Sequence, residues 1–203
     1  MSLKVGILVA HEVQDQEMLE PLEIFSKEPF QCDIILCPKK KIKNPTTKNG
    51  QPLIWTKTAE EVVKSGDFKY DLLLCVGGWA PEIIRLDKEA MCIVRYNIDS
   101  DSLIGSICHG CLILLSARTL PKGMKLTGYP ASKHDIENSG YIYPTENVVV
   151  DRNIVSSSHY KYNPEWLQTI LEILSSRHPE YNLPHPKRYI LPYNKEFEYN
   201  VNA

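Results

Sequence analysis

The sequence lacks a membrane-length apolar run: its opening stretch, Leu3 to Ala10, is far shorter than the roughly 20 residues a spanning helix needs. It also lacks the charged start and small-residue cleavage site of a signal peptide. The N-terminus is therefore read as a buried strand, and the expected location is the cytoplasm, away from membranes. A surplus of one charge is missing too. Twenty-three basic against 25 acidic residues leave a formal net charge of −2, which argues against an electrostatic nucleic-acid binder. The one basic cluster, Lys39-Lys40-Lys41 with Lys43, reads as a solvated loop. Of the six cysteines (Cys32, Cys37, Cys75, Cys92, Cys108, Cys111), four sit in or beside apolar runs, as small core residues do. Cys108-x-x-Cys111 is matched by no second pair, so neither a metal nor a cofactor is expected. Internal repeats and a domain-dividing linker are absent as well.

What is there is a chain of 203 residues, 43% hydrophobic and 24% charged, enough for one sizeable core. Strand-like and helix-like segments alternate. Residues 3 to 10, 31 to 37, 71 to 76 and 102 to 107 read as buried strands. Residues 17 to 25, 58 to 64, a span from 81 or 88 to 97, 109 to 117, 130 to 138 and 163 to 176 read as helices. Pro21 is tolerable only near the first turn of its helix. Leu53-Ile54-Trp55 suits a short hairpin arm, residues 125 to 127 a short strand, and residues 148 to 150 and 154 to 156 a hairpin. Asn163 is the expected N-cap of the last helix, with Pro164 at its first position. Such alternation predicts an α/β sandwich with a mostly parallel sheet and helices on both faces. The expected domain is 1–177. The proline- and tyrosine-rich tail, 178–203, is read as an extended arm packed on the domain or on a neighbouring subunit.

Three segments carry candidate chemistry. In Ser106-Ile-Cys-His-Gly110 a cysteine ends a strand and opens a helix, with small residues two before and two after it. That is the spacing of a nucleophile elbow, where the side chain projects above the sheet. A helix N-terminus at the sulfur is expected to lower the thiol pKa. The competing reading is a buried core cysteine, as expected of Cys75 and Cys92. Gly77-Gly78 ends another strand, where backbone N–H groups of Gly77 and Gly78, with that of His109, suit an oxyanion hole beside Gly110. Glu17 follows a third strand. It is either an exposed charge in a first helical turn or a semi-buried general acid or base with a raised pKa.

In these residues the chain resembles the ThiJ/PfpI family, which includes the parkinsonism-associated deglycase and the archaeal intracellular proteases. The likeness spans roughly residues 3 to 176. It rests on Val5-Gly-Ile-Leu-Val9, Glu17 with Pro21, Gly77-Gly-Trp-Ala-Pro-Glu82, Ser106-Ile-Cys-His-Gly110 and Asp151-Arg-Asn-Ile-Val-Ser156. The resemblance implies a flavodoxin-like sandwich, Cys108 as nucleophile and Glu17 as its protonated carboxyl partner. It implies oxyanion donors at Gly78 and His109. In the protease-like branch it makes His109 the next member of a triad, oriented by an acid from an adjacent subunit, the residue matching Glu82. Tyr129 before Pro130 departs from the second histidine of deglycase-like members, for which His134 and His159 are substitutes to weigh. A His with a following Glu, as at His159 and Glu165 or His178 and Glu180, only superficially suggests an amidotransferase.

The expected function is a cysteine-dependent hydrolase, or a glyoxalase or deglycase, acting on a small carbonyl, acyl or peptide substrate as a homodimer or higher homo-oligomer. The rival is a non-enzymatic redox sensor or chaperone with an oxidisable Cys108. A Cys108–Cys111 redox disulfide is the third and weakest reading.

Overall fold

The structure is a computed structural model, and it describes residues 2–37 and 42–183. The elements run β1 (Leu3–Val9), α1 (Asp15–Phe25), β2 (Phe30–Leu36), β3 (Lys57–Thr58), α2 (Ala59–Ser65), β4 (Leu72–Cys75), α3 (Ala80–Ile84) and α4 (Lys88–Asp99). They continue with β5 (Leu103–Ile107), a 3-10 turn (Cys108–Gly110), α5 (Cys111–Ala117), α6 (Lys133–Asn138), β6 (Val148–Asp151), β7 (Ile154–Ser157) and α7 (Asn163–Arg177). The strands form one sheet in the order β3-β2-β1-β4-β5-β7-β6. All neighbours are parallel except the β6–β7 hairpin. This is the expected three-layer α/β sandwich.

The central strands are apolar along their whole length because helices cover both faces. Leu72–Cys75 and Leu103–Ile107 are buried at every residue. Trp166 of α7 is fully buried and its indole N–H donates to Val155 O at 3.0 Å, tying that helix to β7. Thr58 and Glu61 form a reciprocal capping box at α2, which sets its start. The chain winds outward from β1 through β2 to β3, then returns to β4 on the other side. Such a reversal leaves a crevice at the C-terminal ends of β1 and β4, the usual ligand position in open α/β sheets.

Several local expectations change. Pro21 lies inside α1, beyond its first turn. Leu53–Trp55 is not a strand; the segment before it makes isolated Thr46–Pro52 and Val13–Thr47 bridges, and Lys125 makes an isolated bridge to Ile142. The helix expected from residue 81 or 88 is two helices, α3 and α4. Asn163 is not an N-cap, because a 3-10 turn over Tyr160–Tyr162 precedes α7 and carries the chain into it. The Asn163 amide instead donates to Gln16 O at 3.1 Å and to Glu20 at 2.8 Å. Cys75 is buried but Cys92 is exposed on α4, since its neighbours Met91 and Ile93 hold the inward positions. Of the tail, Tyr181 and Leu183 pack against the core; residues 184–203 lie outside the described residues, as do Lys39-Lys40-Lys41.

Candidate active site

The C-terminal ends of β1, β4, β5 and β7 converge on a cavity of about 530 Å³. Cys108 sits at its base with φ of 56°, a left-handed backbone that non-glycine residues adopt at a cost. The elbow is held by close packing. A Cβ on Gly110 would lie 2.0 Å from Cys75 O, so only glycine lets the 3-10 turn approach β4 this closely. Cys108 O accepts from Tyr129 N–H at 3.0 Å, which fixes the turn from the other side.

Glu17 is fully buried in the first turn of α1, so the exposed-charge reading does not hold. One carboxyl oxygen accepts the Gly77 N–H at 2.7 Å, the other is buried without a hydrogen-bond partner among the described residues, and the Cys108 thiol lies close enough to the carboxyl to influence its ionisation. A Cβ on Gly77 would lie 2.7 Å from that oxygen and 2.9 Å from Cys108 Cβ. Burial raises the Glu17 pKa to about 8, against the opposing pull of the Gly77 N–H and the Cys108 thiol. At neutral pH this carboxyl is mostly protonated.

The Cys108 thiol is also pushed up, by burial first and then by Glu17; the neighbouring His109 backbone N–H pulls it down. The expected lowering by a helix dipole is therefore not met in the resting site. The segment that opens at Cys108 is a 3-10 turn followed by only seven α-helical residues, a short dipole set against nearly complete burial. His109 Nδ1 lies 3.6 Å from the sulfur. Burial lowers the His109 pKa, which leaves the ring neutral and able to accept a proton; Glu82 acts in the opposite sense.

Gly78, at φ 76°, needs glycine, since a Cβ would lie 2.4 Å from Glu12 O. The Val13–Gly78 bridge is made by flanking groups, Gln14 N–H to Gly77 O at 3.4 Å and Trp79 N–H to Glu12 O at 2.9 Å. The bridge therefore does not use the Gly78 N–H, and Gly78 lines the cavity. Gly77 and Gly110 are different: the Gly77 N–H is spent on Glu17, and neither residue lines the cavity. Their work is to permit close approach.

Glu82 lies in α3 and its carboxylate pairs with Arg85 at 3.8 Å. Its field reaches His109, but among the described residues no hydrogen bond joins the two. His134 is exposed and faces Glu137 at 3.5 Å, outside the site. His159 does line the cavity. Its Nδ1 accepts Lys161 N–H at 3.3 Å, and burial lowers its pKa to about 4. Its ring stands 4.1 Å from Tyr160 and 6.2 Å from Tyr129, whose ring is 4.7 Å from His109. All six cysteines are free and Cys111 is buried. Among the described residues no cluster could hold a metal, and no helix is long and apolar enough to cross a membrane.

Sequence reasoning missed much of the rest of the wall, including Gln14 and Gln16 beside Glu17, Lys48 and Asn49 from the loop after β2, and Lys161 after β7. The glutamines flank a candidate in sequence and could have been found that way. The others come from loops whose position only the fold sets.

The Glu17 ionisation predicts a pH effect on stability. A carboxyl with a folded pKa near 8 binds a proton that the unfolded chain has lost above its ordinary value of about 4.5. Stability is thus undiminished below that value and falls as pH rises towards 8. Across this window the loss is expected to be on the order of a few kcal/mol. Urea unfolding at pH 5 and pH 8 should show this loss in the native protein and a much smaller one in Glu17→Gln. Equal slopes in the two proteins would contradict a protonated Glu17.

A sequence model described as the DJ-1/PfpI family matches residues 3–173. Deglycase TK1284 of Thermococcus kodakarensis is 33% identical over 172 residues, covering 85% of this chain and 99% of its own. Protein/nucleic acid deglycase 2 of Escherichia coli is 30% identical over 159 residues, covering 78% and 89%. The solved structure of Schizosaccharomyces pombe DJ-1 superposes with a TM-score of 0.72 at 19% identity, over 90% of this chain and all of that one; it bears on the fold alone.

Proposed function

The chain belongs to the DJ-1/PfpI family, and from that membership we propose that it is a cysteine-dependent enzyme of deglycase, glyoxalase or hydrolase type acting on a small carbonyl or acyl compound through Cys108. The observation that carries this reading is the juxtaposition, around one sulfur, of a buried carboxyl and a neutral imidazole whose ionisations burial shifts in opposite directions. Such pairs divide the work of acid and base.

In the proposed step His109 takes the thiol proton and the sulfur forms a bond to the carbonyl carbon. The carbonyl π pair moves to oxygen, facing the Gly78 N–H. Glu17 donates its proton to that oxygen, and the protonated His109 later restores Glu17. The product of this step is a hemithioacetal from an aldehyde, or a tetrahedral adduct from an acyl compound that expels its leaving group. Burial raises the resting thiol, so the reactive thiolate forms only as the proton leaves for His109.

The test is conversion of methylglyoxal, of its amine adducts and of a small peptide amide by the purified protein. Turnover of at least one, with a covalent adduct on Cys108 in intact-mass spectra, is expected. Absence of turnover, combined with selective oxygen uptake at Cys108 under mild peroxide, would favour the redox-sensor reading instead. Homo-oligomer formation, with the partner's acid orienting His109, belongs to the same proposal. It is supported by Glu82 lying exposed without a hydrogen bond to its own His109. The cytoplasm is the proposed site of action.

A further inference from the structure

The cavity in front of Cys108 is electrically one-sided. Its charged lining comprises Glu17, Lys48 and Lys161, together with the two histidines. Glu17 is held protonated, and burial leaves His109 and His159 neutral near pH 7. The two ammonium groups therefore carry the net charge. Among the described residues neither forms an ion pair.

Both lysines stand on fixed backbone. Lys48 N–H donates to Val13 O at 2.9 Å, Thr47 N–H to Gln51 O at 2.8 Å, and Asn49 N–H to the buried Asp15 carboxylate at 3.2 Å. Lys161 is held by its N–H bond to His159, and its ammonium lies 4.9 Å over the Tyr162 ring. The field of Lys48 reaches Glu17, His109 and His159, and that of Lys161 reaches His159. Both lysines line the same cavity as Cys108. A cation left unpaired beside a cavity is matched by an anionic ligand, which gains Coulomb energy there without breaking an existing pair.

We infer that Lys48 and Lys161 form an anion subsite, so that the compound attacked by Cys108 carries a carboxylate or phosphate beside its reactive carbonyl. This rests on the reading of Cys108 as nucleophile and names the substrate class for it.

The test compares alkylation of Cys108 by iodoacetate and by iodoacetamide, which differ in charge and little in size. In each case the thiol proton leaves by way of His109 to solvent, a carbon–sulfur bond forms and iodide departs. At low ionic strength the iodoacetate-to-iodoacetamide rate ratio at Cys108, read by peptide mass, should fall about 3- to 10-fold in Lys48→Gln/Lys161→Gln. The ratio at the exposed Cys92 should stay the same and serves as internal control. An unchanged ratio at Cys108 would overturn the subsite. If Cys108 resists both reagents, the nucleophile reading fails, and the subsite is decided by thermal shift. Succinate or glycerol 3-phosphate, but not glycerol, should raise the unfolding temperature of the native protein more than that of the double variant. Equal shifts, or none, would overturn the subsite, and the more effective anion tells carboxylate from phosphate.

Discussion

Cys108→Ser is expected to lower turnover of any substrate by a factor of about 1,000 or more, because an alcohol at this position loses the nucleophile but keeps the binding surface. The geometry makes the substitution a clean one. Serine replaces sulfur with a smaller oxygen, tolerates the same backbone cost at φ 56°, and leaves the Glu17 carboxyl a hydroxyl to bond. Stability should therefore change by less than about 1 kcal/mol in urea unfolding. His109 lies 3.6 Å from the sulfur, and an alcohol, less acidic and less nucleophilic than a thiol, gives up its proton there less readily. Retention of more than about a tenth of the native rate would remove Cys108 from the chemistry and with it the proposed function.

Gly110→Ala is expected to be the most damaging single-methyl change in the elbow. Its backbone is ordinary right-handed helix, φ −55° and ψ −26°, so alanine has no conformational objection. The objection is steric. The new methyl would overlap Cys75 O at 2.0 Å and Cys75 C at 2.8 Å, both backbone atoms of a buried central strand that cannot swing aside. The 3-10 turn must move off β4, carrying Cys108 away from Glu17 and Gly77. A loss of about 3 kcal/mol or more is expected in urea unfolding, together with loss of Cys108 reactivity. The informative control is Gly66→Ala, at φ 72° with open space around it, where only the backbone objects and about 1 kcal/mol is expected. Equal costs at the two positions would show that the elbow relaxes and that its close approach to β4 is not needed.

The sequence by itself determined the sandwich, the strand ends and the elbow, because each is written in contiguous residues. A wholly apolar run such as Leu72–Cys75 suits a strand covered on both faces, which is what it forms, and small residues two before and two after a cysteine suit a sharp turn. Glu17 was legible as a candidate but not as a protonated one. Its ionisation depends on how completely α1 closes over it and on where the Gly77 N–H points, and residues 60 apart in sequence set both. The same distance effect reassigned Gly77 from oxyanion donor to partner of Glu17, and brought Lys48 and Lys161 to the wall of the cavity that Cys108 lines, without any motif. Tertiary structure alone decided these, since burial and charge proximity are properties of packed neighbours. Local pattern settles where the chain turns; the packing around each turn settles which of its atoms remain free to react.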